Sequence, residues 1–236
     1  MWCSQSPPPP PSQTPRKRNS SVREDSISLD RLRASLFHVK PVWIRAAGFS
    51  GIALGAEAVN LMMRYREWLV TEGVAGGGIG PAEIERIDRR HLADSLLFAA
   101  QIPKKTQTVW DVGSGVGLPG IPLSIALPDV QFLLIDRSGR RADLLRRVIR
   151  ILALENCQVI EGEIDEMVGE VDVIVSRASL PPGELRAVAT RHLPRGGIAI
   201  AAGSWRERPQ HQGWATIEIP PHVLDQTVWL LIMRRE

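Results

Sequence analysis

The spacing of apolar positions divides this chain into two halves with different periods. From Ile27 the residues Leu29, Leu32, Leu36 and Phe37 recur at helical spacing until Pro41 breaks the pattern. Ala56 to Thr71 is a second amphipathic segment, with Val59, Met62, Met63, Trp68 and Leu69 roughly on one side. Glu72 to Pro81, EGVAGGGIGP, reads as a flexible connection. Pro81 opens a third helix running to Ile84 or beyond, and His91 to Ala100 is a fourth that ends before Pro103. After that the period changes. Short continuous apolar runs, each closed by a polar or glycine-rich stretch, mark buried strands at Val109 to Asp111, Val130 to Ile135, Gln158 to Glu161, Val171 to Ser176 and Gly197 to Ala201. Helical or turn segments separate them. Gly139 to Glu155 is the clearest amphipathic helix: Leu144, Leu145, Val148, Ile151 and Leu152 should face the sheet, with Arg140, Arg141, Arg146, Arg147 and Arg150 largely elsewhere. Trp214 to Pro220 and Thr227 to Arg234 follow as two strands without a convincing helix between them. The pattern predicts an α/β chain: a mostly parallel, doubly wound sheet (104–236) that ends in an antiparallel hairpin and is preceded by a helical cap (27–103).

The candidate chemistry lies in Thr108 to Gly120, TVWDVGSGVGLPG, and in Asp136, which ends the next strand. Gly113, Gly115 and Gly117 permit a sharp turn that exposes backbone N–H groups, and Pro119 suits the first position of the helix that continues through Ile121 to Ala126. This is a βαβ crossover with a carboxylate where a ribose would lie. A dinucleotide would set its pyrophosphate on such a turn, whereas S-adenosylmethionine would lay its zwitterionic methionine end there. Asp111, closing the first strand, would repel a pyrophosphate but could help hold the methionine ammonium, directly or through water. The final hairpin also suits a methyltransferase better than a dehydrogenase. A glycine-rich turn without a ligand is the bland alternative.

Composition bounds these readings. With 236 residues and 44% apolar positions, the chain can build one α/β domain with an appendage. Net charge is +3, yet the basic residues are almost all arginine, with four lysines only (Lys17, Lys40, Lys104 and Lys105). That bias suits phosphate forks and base stacking on RNA, or reflects a high-GC genome. Two cysteines, Cys3 and Cys157, form no framework or metal set, as expected in a reducing cytoplasm. No apolar run reaches membrane length. Residues 1–26, with five consecutive prolines, serines and Arg16-Lys17-Arg18, are expected to be a disordered tail.

Longer motifs add a resemblance. DVGSGVGLPGIPLSIALPD from Asp111 to Asp129, RHLADSL from Arg90, DRSGRR from Asp136, LALEN from Leu152 and VSRA from Val175 together resemble the bacterial small-subunit ribosomal RNA guanine-N7 methyltransferases, the glucose-inhibited division protein B (RsmG) family. The similarity runs from about Leu61 to Glu236. It implies a Rossmann-like class I methyltransferase domain, monomeric and metal-free, that takes S-adenosylmethionine and acts on 16S ribosomal RNA or the small ribosomal subunit. By position, Gly113 and Leu118 would line the methionine and adenosine pocket. Asp136 would bind the ribose, Ile164 and Asp165 would border the adenine, and Arg177 would lie at the mouth facing cofactor or substrate. His91 is expected to be structural, because guanine N7 has no proton to remove. Glu163 and Ala202 stand where the family usually carries arginine and lysine. Their presence leaves open a different methyl acceptor, or a catalytically silent module that binds the cofactor.

Overall fold

The computed structural model describes residues 42–236. The expected tail and the helix read from Ile27 to Pro41 lie outside the described residues. Two cap helices come first, α1 (Val42–Phe49) and α2 (Ala56–Trp68). The two helices expected at Pro81 and His91 are one unbroken helical run of changing pitch. It is 3₁₀ over Pro81–Arg86, π over Ile87–Ala93, α in the short α3 (Asp94–Leu97), and 3₁₀ again over Phe98–Gln101. The stretch from Leu92 to Ala99 is buried throughout, so it lies inside the fold, whereas Arg89 and Arg90 remain exposed.

The sheet has seven strands: β1 (Thr108–Val112), β2 (Gln131–Asp136), β3 (Cys157–Glu161), β4 (Val173–Ser176), β5 (Ile198–Ala202), β6 (Ala215–Ile219) and β7 (Val228–Arg234). Their spatial order is β3-β2-β1-β4-β5-β7-β6. The first five run parallel, and β7 runs antiparallel to both β5 and β6. Order and direction agree with the expected Rossmann-like methyltransferase architecture. Successive side chains alternate between two cores, as the strand period requires. Val109, Phe132, Leu134, Val173, Val175 and Ile200 join the larger core, which also takes the cap and the helices α4 (Gly120–Ala126) and α5 (Gly139–Leu152). Trp110, Val112, Ile135, Ile174 and Ala199 join the smaller one, under α6 (Pro182–His192).

Four local expectations change. Ile151 is exposed, because the buried stripe of α5 is Ala142, Leu145, Val148 and Leu152, and its carbonyl accepts a hydrogen bond from Arg64 of α2. Pro119 stands just ahead of the helix; Gly120 opens α4, and Pro122 sits in the first turn, where an N–H has no helical partner. A single helical turn, α7 (Pro221–Leu224), does join β6 to β7. The connection from Glu72 to Pro81 is packed: a Cβ on Gly76 would stand 2.7 Å from Leu144 Cδ1, and one on Gly78 would overlap Val116 Cγ1 at 1.9 Å. These glycines let the loop close on α5 and on the glycine turn.

Candidate cofactor site

The turn after β1 is held in left-handed conformations, with φ of +72° at Gly113, +63° at Gly115 and +98° at Gly117. Each glycine is needed for a different reason. A Cβ on Gly113 would come within 2.1 Å of Ser179 Cβ, because the chain leaving β4 folds over the turn. Ser179 Oγ donates to the Val112 carbonyl and contacts Ser176 Oγ at 2.7 Å, which ties the two strand ends together. A Cβ on Gly117 would strike Ile121 Cδ1 at 2.4 Å, so that glycine serves packing. A Cβ on Gly115 would meet nothing within 4 Å: it would project into open space. The backbone there is bare toward the cleft, as close approach of a ligand requires.

The two acids divide. Asp136 Oδ2 accepts from Gly115 N at 2.9 Å and Oδ1 from Ser138 N at 3.0 Å, while Arg141 Nη1 approaches to 3.8 Å. One carboxylate therefore shapes the glycine turn and anchors the start of α5. Both side chains are buried, but Asp111 points at α4, where Oδ2 accepts from Gly120 N at 2.9 Å. Burial pushes its carboxyl up to about 7, opposed by the Gly120 N–H, the Ser114 hydroxyl and the Arg177 charge. The Asp111 side chain, expected to help hold a methionine ammonium directly or through water, is thus committed to α4 through Oδ2, while its Oδ1 is buried without a hydrogen-bond partner.

Arg177, just past β4, reaches the cap. Its Nη1 donates to the Arg90 carbonyl at 2.9 Å and lies 3.6 Å from Asp94 Oδ2, and its Nη2 lies 3.0 Å from His91 Nδ1. Burial raises the Asp94 carboxyl, against the Arg177 and Arg90 charges. Burial and the Arg177 charge together push His91 down to about 4, although Glu83 Oε2 stands 3.4 Å from Nε2. A guanidinium only donates, so His91 Nδ1 must accept, leaving the imidazole neutral with its proton on Nε2. His91 is a strut between cap and sheet.

These walls enclose a cleft of about 290 Å³ at the carboxyl ends of β1 and β4. Gly113, Gly115, Leu118 and Arg177 line it together, joined by residues to which the sequence assigned no place in the site: Gly78 to Gly80 from the cap, Arg141, and Ala178 with Ser179. Ala178 has φ of +58°, a strained conformation for a residue with a Cβ that nothing in the sequence announces. Asp136 supports the cleft from behind Gly115, and Gly117 stands behind it. Ile164 and Asp165 lie outside. Ile164 packs under the smaller core, and Asp165 is exposed with Arg191 Nη1 at 2.8 Å. Glu163, also exposed, lies 3.6 Å from Arg137 Nη1. Among the described residues there is no group of acids, histidines and cysteines arranged to hold a metal, and no helix long and apolar enough to cross a membrane.

Three curated relatives are named ribosomal RNA small subunit methyltransferase G. The one from Acidothermus cellulolyticus is 40% identical over 150 residues, covering 62% of this chain and 67% of that protein. The one from Corynebacterium efficiens is 36% identical over 200 residues, 78% of this chain and 86% of that protein. The Mycolicibacterium gilvum relative is 40% identical over 161 residues, 66% and 68% respectively. Among solved structures, ribosomal protein L11 methylase from Lactobacillus delbrueckii subsp. bulgaricus is loosely similar, with 17% identity and a TM-score of 0.48 over 62% of this chain and 80% of that one. The GidB family model, rRNA small subunit methyltransferase G, matches residues 58–219, a span that contains every wall of the cleft, and the chain belongs to that family.

Proposed function

We propose that this protein, acting as a monomer, transfers the methyl group of S-adenosylmethionine to N7 of a guanine in 16S ribosomal RNA. One observation carries the reading: the family match takes in the cap, the glycine turn and the β4 exit, and so the whole lining of the cleft. The residues present suit the cofactor. The bare backbone at Gly115 leaves room that a Cβ would fill, and Gly113 and Leu118 flank it. Each Asp136 oxygen accepts one N–H, and a carboxylate oxygen can accept a second hydrogen bond, here from a ribose hydroxyl. Asp136 pairs with Glu161 at the β3 exit, so an adenine extending past the ribose would run toward Ile164 and Asp165. Arg177, which lines the cleft, would face cofactor or substrate at the mouth.

S-adenosylmethionine supplies a methyl carbon activated by the adjoining sulfonium. Guanine N7 offers an in-plane lone pair and carries no proton, so the protein needs no general base. Its work is to hold the reactants in line, which can contribute about 7–11 kcal/mol. His91 fits that scheme, since its one free lone pair is engaged by Arg177. The target guanine must be unstacked or in a loop to enter so narrow a cleft. Deleting the gene should remove one N7-methylguanosine from 16S rRNA, mapped by borohydride–aniline cleavage, and complementation should restore it. Persistence of every such mark in a strain with no second family member would overturn the assignment.

A further inference from the structure

A second and larger cleft, about 580 Å³, lies between the helical cap and the connection from β5 to β6. Four arginines line it: Arg86, Arg89 and Arg90 from the cap, and Arg206 from the connection, with Trp205 beside it. Their surroundings differ. Arg86 contacts Glu83 at 3.2 Å and Arg89 contacts Asp225 at 2.5 Å, so both already face a carboxylate. Glu85 and Asp88 also line the cleft, and Asp88 is held by Arg66 at 2.8 Å. Arg90 and Arg206 have no carboxylate within 4 Å among the described residues. The Arg90 guanidinium carbon instead lies 4.3 Å from the centre of the Trp205 ring. A guanidinium over an indole face spends none of its N–H donors on the ring, so they remain available to grip a phosphate.

The cleft also adjoins the cofactor site. The Arg90 carbonyl accepts from Arg177, and the next residue, His91, lines the smaller cleft. A strand reaching Arg177 along the outer side of this shared wall would bring its backbone to the second cleft. We infer that Arg90 and Arg206 form a phosphodiester site for an unpaired nucleotide of the RNA substrate, next to the target guanine, with Trp205 holding Arg90 in place. Its assignment to substrate RNA rests on the methyltransferase reading above.

The test uses the full chain and two probes, a short single-stranded oligouridylate and a 16S rRNA transcript, each titrated across a salt series. The Arg90→Ala/Arg206→Ala double variant should weaken oligouridylate binding on the order of tenfold, as expected when charged hydrogen bonds are lost. The slope of log Kd against log salt should fall by about 0.7, the value for one phosphate contact on a single strand. Affinity for S-adenosylmethionine should stay unchanged. Arg195→Ala, in the exposed turn before β5 at the opposite end of the sheet, should leave binding and slope as they are. Arg206→Glu, on the exposed connection, keeps the test informative if the double variant folds poorly, and should weaken binding in the same direction. Unchanged binding and slope in these variants, or an equal loss in Arg195→Ala, overturns the inference. So does a loss confined to assembled subunits with naked RNA unaffected, which would make the cleft a protein-docking site. Salt-sensitive oligouridylate binding through Arg90 and Arg206 by a protein that leaves 16S rRNA unmethylated would instead remove the proposed acceptor and keep the phosphate site.

Discussion

Asp111 and Asp136 lie near the carboxyl ends of neighbouring strands, two residues out of register, and that offset separates their roles. Asp111 pairs across to Leu134 and still lies inside the ladder, turned toward α4; Asp136 is one position beyond the partner of Val112 and reaches the glycine turn. The same carboxylate is therefore a buried helix cap in one place and the support of a ligand-facing loop in the other. Both side chains leave the same face of the sheet, so what separates them is how far each stands from the end of the strand ladder, a quantity that only pairing defines.

The largest effect expected is on cofactor affinity. Asp136→Ala should weaken S-adenosylmethionine binding by about 1.5–3 kcal/mol, the range for hydrogen bonds to a charged group, whereas Asp111→Asn should leave it nearly unchanged; calorimetry on both variants reads the contrast. Equal losses would show that the two acids act as one unit. Next comes stability. Asp111→Ala strands the Gly120 N–H in the interior and should cost about 1–3 kcal/mol in urea unfolding, with Asp111→Asn costing less because its amide oxygen can still accept.

The pH response follows and sharpens the point. With its carboxyl up at about 7 against an ordinary 3.8, folded Asp111 keeps a proton that the unfolded chain has released, so its contribution to stability is lost as pH rises through that window. His91 works in the other direction. Held down at about 4 against an ordinary 6.5, it stays neutral while the unfolded chain takes up a proton, so its contribution is lost as pH falls through that window. Thermal unfolding across these pH values should show Asp111→Asn gaining on the wild type as pH rises, and His91→Gln gaining as pH falls. The smallest effect is at the surface. Glu163→Arg should tighten RNA binding by less than about tenfold and only at low salt, because the site is exposed and already faces Arg137.

Much of this architecture could be read locally. Val109, Val173 and Ile198 stand in apolar runs because a parallel strand buried on both faces has no polar side, and Gly113 and Gly115 announce themselves because other residues avoid left-handed φ. Ser179 carries no such mark; it matters because the β4 exit crosses the turn 66 positions earlier in the chain, which is why Gly113 must lack a Cβ. Arg177 likewise reads as a residue at a strand end, and only the docked cap supplies Asp94 and His91. The continuous run from Pro81 to Gln101 reads as two helices because its changing pitch breaks the regular period on which a helix is recognised.

By itself, then, the sequence determined the elements, their parallel order and the glycine turn, since side-chain period and backbone φ are properties of a few neighbouring residues. Tertiary structure decided which backbone N–H groups each acid accepts from, which arginine is paired and where the two clefts meet. Burial and charge pairing depend on groups that lie far apart along the chain, and their positions become defined only when the sheet and the cap close together.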